Sequence, residues 1–143
     1  MASKNIQYKI TGVPTIEEVR KFNEDPYIFF RFQDPHERLT KRSCSWGMIF
    51  QSKAEAIRDC EKWGMTPDEA VLNGKSCMDT LEGLYNWICE FDEPYVLLVF
   101  EGNDTGTTGH DGEYVATYHK KVAVWSYTDA LNMIYKLREE EED

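Results

Sequence analysis

Two short apolar runs constrain this chain more than any other feature. Tyr27 to Phe32 reads YIFFRF, and Tyr95 to Phe100 reads YVLLVF. Both are rich in β-branched and aromatic residues, and the first is bounded by Pro26 on one side and Asp34-Pro35 on the other. Runs of this length and character predict strands, and the unbroken apolar stretch of the second predicts a strand covered on both faces. The chain must therefore build a sheet and then cover it.

The covering elements are legible from caps and periodicity. Thr15-x-x-Glu18 is a capping box and predicts a helix through Val19 and Phe22 to about Asn23. Ser52-x-x-Glu55 predicts a second helix, with Ala56, Ile57, Cys60 and Trp63 at helical spacing and Gly64 closing it. Thr66 predicts a short third helix ending near Gly74, and Ser76-x-x-Asp79 a longer one through Leu81, Leu84, Tyr85 and Ile88. A final amphipathic helix is expected over about 128–138.

Further strands are expected at 5–11, where Ile6, Tyr8 and Ile10 alternate, at 43–50 (SCSWGMIF), and in EYVATYH and KVAVWSY on either side of Lys120. EGNDTGTTGHDG reads as a flexible glycine-rich loop, and QDPHERLTKR as a locally basic one. The order β-α-β-β-α-α-α-β-β-β-α predicts an α+β fold. It has two groups of mainly antiparallel strands around a helical block, without regular βαβ alternation. One domain over 1–138 and an acidic tail over 139–143 are expected.

Charge narrows the function classes. Sixteen basic against 26 acidic residues leave a net charge of −10, a sign that repels phosphate backbones and argues against direct nucleic-acid binding. Glu139 to Asp143 carry five of the negatives, so the body is only mildly acidic, and such a terminal run is expected to be solvated and frayed. The start MASKNIQYKI lacks an apolar core, and no stretch is long enough to span a bilayer, so a soluble, cytoplasmic protein without membrane contact is expected. Cys44, Cys60, Cys77 and Cys89 form no CxxC pair and read as small buried apolar residues. His36, His110 and His119 are equally scattered, so no metal site is expected. Neither GxGxxG nor GxxxxGK[ST] occurs.

Three features could carry chemistry. Arg31 interrupts the apolar run YIFFRF; a desolvated guanidinium needs either a carboxylate partner or a phosphate- or carboxylate-bearing ligand. In Ser43-Cys44-Ser45-Trp46-Gly47, strand alternation puts both hydroxyls on one face, and Gly47 permits close approach of a ligand or another backbone. Those serines read equally as surface residues at the start of a strand. Finally, Gly109-His110-Asp111-Gly112-Glu113-Tyr114 is either a plain hairpin turn or a loop that delivers Glu113 to the mouth of a strand.

An Arg on a first core strand, Ser-x-Ser on a second and acid-x-Glu entering a later one is an ordered triplet. It resembles the Arg–Ser–Glu pattern of the ADP-ribosyltransferase fold, a small α+β domain that binds NAD between two sheets. SWGMIFQSKAEAI is similar to that family's second strand and following helix, and VLLVFEG with DGEYV to its glutamate turn; the resemblance spans about Tyr27 to Tyr127. It implies NAD as cofactor and an unidentified protein as the target modified.

By the same resemblance, Arg31 would hold the NAD phosphate or adjacent ribose, and Ser43 and Ser45 would support the nicotinamide ribose. Trp46 or Tyr27 would flank nicotinamide. Glu113 would be the catalytic acid, stabilising positive charge as nicotinamide leaves, and Asp111 would orient the acceptor. A second class stays open on charge alone: a non-enzymatic acidic protein, such as a phage-type inhibitor, covering the basic nucleic-acid-binding surface of a host protein.

Overall fold

The computed structural model describes residues 5–43, 53–62, 64, 72–108 and 112–142. Helix α1 (Ile16–Glu24) starts at Thr15, whose hydroxyl accepts from the Glu18 N–H at 3.2 Å, as the capping box predicts. Strand β1 (Ile28–Gln33) follows, then helix α2 (Lys53–Lys62), strand β2 (Lys75–Cys77) and a 3-10 helix over Glu82–Glu90. Strands β3 (Val96–Glu101), β4 (Asp104–Thr108), β5 (Tyr114–Ala116) and β6 (Lys120–Ser126) lead into helix α3 (Tyr127–Glu142). The fold is α+β, a single small domain with two antiparallel sheets and three α-helices among the described residues.

The two apolar runs make the centre of the first sheet. It has the order β1-β3-β6, with Phe30 opposite Val99, Arg31 opposite Leu98 and Leu97 opposite Trp125. All six residues of β1 are buried, which is why the run shows no alternation of apolar and polar residues. Ile28, Phe30 and Phe32 face a core completed by Val19, Leu84, Ile88 and Ile134, which come from the helices. Phe29 faces a second core with Leu98, Phe100, Cys77, Tyr8 and Leu39. Covering both faces is what a six-residue apolar strand requires, at about 1.5–3 kcal/mol for each large side chain removed from water.

The second sheet has the order β2-β5-β4. It meets the first through a bridge between Phe30 and Met78, each donating its N–H to the other's carbonyl at 2.9 Å. Over the second core lie two irregular segments, 5–14 and 34–43. Tyr8 joins them, its phenol oxygen accepting from the Leu39 N–H at 2.9 Å.

Several expectations are corrected. Residues 5–14 form no strand; Tyr8 is buried while Ile6 and Ile10 are exposed. The segment is instead pinned at the β6 edge, where Thr11 donates to the Val124 carbonyl and its hydroxyl accepts from the Val124 N–H. Ser76 does not cap a helix but sits in β2, in register with Val115. The helical turn starts later, at Thr80, whose hydroxyl accepts from the Gly83 N–H at 3.1 Å. The glycine-rich loop contains β4, tied to β5 by the Thr105 hydroxyl donating to the Val115 carbonyl at 2.7 Å.

The acidic tail is also helical, since α3 runs through Glu142 and Glu140 pairs with Arg20 at 2.6 Å. Cys77 is buried as expected, whereas Cys89 is exposed near the end of the 3-10 helix. The expected strand from 43 falls, from 44 to 50, outside the described residues, as does most of the short helix after Thr66.

Candidate functional site

Polar residues gather where the two sheets meet. Among the described residues, the buried charged or polar side chains are Arg31 (1% exposed), Gln33, Lys75 (0%), Ser76 and Glu113 (4%). Arg31 and Gln33 belong to β1, Lys75 and Ser76 to β2, and Glu113 immediately precedes β5. Lys75, Ser76 and Cys77 pair with Ala116, Val115 and Tyr114 of β5.

Arg31 reaches this seam because its place in β1 turns it to the Cys77 side of the sheet. Nη1 donates to the Ser76 carbonyl at 2.8 Å, and Nε donates to Gln33 Oε1 at 2.9 Å. Gln33 then passes the connection on, its Nε2 donating to the Glu37 carbonyl at 2.6 Å. Burial pulls the guanidinium down to about 10, with Cys77 and Tyr8 acting in the opposite sense, so it stays protonated at neutral pH. The expected choice between a carboxylate partner and a ligand is thus answered in part by neutral acceptors, a carbonyl and a carboxamide. Beside it, burial pushes the Cys77 thiol up and out of the range of a reactive thiolate.

Ser43 ends an ST turn. Its hydroxyl accepts from the Thr40 N–H at 2.9 Å and donates to the Thr40 carbonyl at 3.0 Å, while its N–H donates to Thr40 Oγ1 at 3.1 Å. The Ser43 carbonyl accepts from Lys75 Nζ, which also donates to the Asn73 carbonyl. Glu113 immediately precedes β5, buried at its entrance, and the register carries the adjoining Tyr114 onto Cys77.

Of the seven residues singled out from the sequence, two are bonded to β2 and a third precedes the strand beside it. Arg31 holds Ser76, Ser43 is held by Lys75, and Glu113 leads into the strand paired with both. Tyr27 is not with them; it lies at the entrance of β1, 57% exposed, its carbonyl accepting from the Gly102 N–H. Ser45, Trp46 and Asp111 lie outside the described residues.

Sequence reasoning missed Lys75, Gln33 and Asn73. Lys75 beside Ser76 and Cys77 is a charge next to small residues, a pattern that only pairing marks as a strand. Asn73 Oδ1 is the single buried side-chain polar atom without a hydrogen-bond partner among the described residues. No group of three or more metal-ligating side chains is found among the described residues, and among them no helix is long and apolar enough to cross a membrane. Comparison with protein-family models, with curated proteins and with solved structures finds no match to this chain.

Proposed function

We propose that the chain is an ADP-ribosyltransferase-like domain that uses NAD to modify an as yet unidentified protein. The observation that supports this reading is the buried Arg31 guanidinium on the Ser76 carbonyl of β2, with Ser43 tied to Lys75 of the same strand through its carbonyl and Glu113 buried just before β5, the strand paired with β2. The triplet was selected from the sequence by residue type and order alone, in stretches far apart in the chain.

The residues at this junction suit a dinucleotide. A guanidinium offers charge and directed donors to a pyrophosphate or ribose oxygen. The orphaned Asn73 Oδ1 is an acceptor open to a hydroxyl or amide donor. Glu113 would supply a carboxylate for the positive charge that builds on the nicotinamide ribose.

With NAD bound, Arg31 would hold the phosphates and stay charged, and Glu113 would hydrogen-bond a ribose hydroxyl and offset the positive charge that develops there. NAD would supply the ADP-ribosyl group, nicotinamide departing with the electrons of its glycosidic bond as an acceptor side chain takes its place and gives up a proton. Isothermal titration calorimetry with NAD up to millimolar concentration tests the reading: saturable binding is expected, weakened by Arg31→Lys, and no heat of binding in the wild type would overturn it.

A further inference from the structure

We infer that Lys75 is a positioning residue, a buried staple whose ammonium holds the Thr40–Ser43 turn against β2. A fully buried lysine is costly, because an ammonium loses its hydration and an apolar side chain of similar length would fill the space more cheaply. Its contacts account for its presence. Nζ donates to the carbonyl of Asn73, two positions before it, and to that of Ser43, 32 positions before it. One ammonium thus joins two chain segments that no strand pairing among the described residues joins.

The geometry at Ser43 makes the staple effective. The Ser43 hydroxyl and N–H are both committed to Thr40, so the turn is a closed unit with its last carbonyl pointing outward. Fixing that carbonyl fixes the unit. The neighbouring residue on β2, Ser76, is the one whose carbonyl Arg31 grips, so the staple and the arginine meet β2 at adjacent residues. Leu39, buried in the second core, anchors the other end of the same segment. Lysine suits this task because its three donors on a point charge can reach carbonyls in different directions.

The consequence for ligand binding rests on the function proposed above: if NAD binds at this junction, loosening the turn should weaken its binding more than it slows chemistry. The staple itself does not depend on NAD. Both are tested with Lys75→Met, which keeps length and removes the donors, and Lys75→Arg, which keeps donors.

Amide hydrogen exchange at Thr40, Arg42 and Ser43 is read alongside the β3 amides of Leu97 to Val99. Lys75→Met is expected to speed the turn amides roughly tenfold or more and leave the β3 amides unchanged. Lys75→Arg is expected to restore most of the protection. Turn exchange that is unchanged, or that rises equally in β3, would overturn the staple. For NAD, Lys75→Met should raise KM about tenfold with kcat little changed; a faster turn with unaltered KM would overturn the positioning role. A wild-type protein that binds no NAD would fell the proposed function, while the exchange comparison would still decide the staple.

Discussion

Arg31 Nη1 donates to the carbonyl oxygen of Ser76 at 2.8 Å, joining two strands of different sheets across 45 positions of chain. The same guanidinium donates through Nε to Gln33, which in turn donates to the Glu37 carbonyl. One side chain thus ties together β1, β2 and the covering segment 34–43.

Removing that side chain should be severe. Arg31→Ala leaves a cavity and strips a buried carbonyl and a buried carboxamide oxygen of their donor, each orphaned acceptor costing about 1–3 kcal/mol. A total loss of about 3–5 kcal/mol in urea unfolding is expected. Arg31→Lys keeps the charge but cannot span both acceptors, and should lose roughly half as much. Equal, small losses for both variants would show that the network contributes little.

Gly102 should tolerate no side chain. A Cβ there would lie 1.7 Å from the Thr117 carbonyl oxygen, a backbone atom that cannot swing aside. The close approach lets Gly102 donate to Tyr27 while the neighbouring Asn103 and Thr117 pair with each other. Gly102→Ala should therefore destabilise by about 2 kcal/mol or more, read as a lower thermal midpoint; an unchanged midpoint would contradict the close approach.

Stability should fall on the alkaline side. Burial raises the Cys77 thiol above its ordinary 9.0, and raises the Tyr8 phenol and, to about 12, the hydrogen-bonded Tyr118 phenol above 10.0. Each acid keeps its proton longer in the folded state than in the unfolded one. Their stabilisation is complete below the unfolded values and is lost as pH rises through them toward the folded ones. Arg31, lowered by burial to about 10, acts in the opposite sense from that pH upward, but it is one group against three. Melts should show a midpoint that declines from about pH 9 and declines less steeply in Tyr118→Phe. A midpoint constant to pH 11 would contradict these burial effects.

The ion pair of the tail should matter little. Arg20 and Glu140 meet at 2.6 Å, but both side chains are about half exposed, and such pairs contribute about 0–1 kcal/mol. Arg20→Ala should shift the unfolding free energy by less than about 0.5 kcal/mol at physiological salt. A larger loss would assign the C-terminal turns of α3 a structural role.

The parts of this fold that a reader of the sequence can find are those whose signal is carried within one segment. β1 and β3 announce themselves by unbroken apolar runs, and α1 by Thr15 and Glu18. β2 and β4 do not, because KSC and DTGTT are strands only by virtue of their partners: Ser76 is held by Val115 and Arg31, and Thr105 by Val115. Ser76-x-x-Asp79 even imitates a cap. At 5–11 the alternation is present, yet Tyr8 alone turns inward, because Thr11 at β6 and Tyr8 at Leu39 fix the segment's path. Arg31 and Glu113 were legible as polar residues in apolar or strand-entering contexts. Lys75 was not, since an isolated lysine among small polar residues looks like surface until the strand around it is known.

The function proposed for this chain turns on Glu113 assisting cleavage of NAD at the β1–β2–β5 junction. Release of labelled nicotinamide from NAD, measured for the wild type beside Glu113→Gln with circular dichroism as the fold control, tests it most directly. Turnover by the wild type is expected, with a loss of at least about a hundredfold in the folded variant. A folded wild type without turnover, or a variant as active as the wild type, would contradict it.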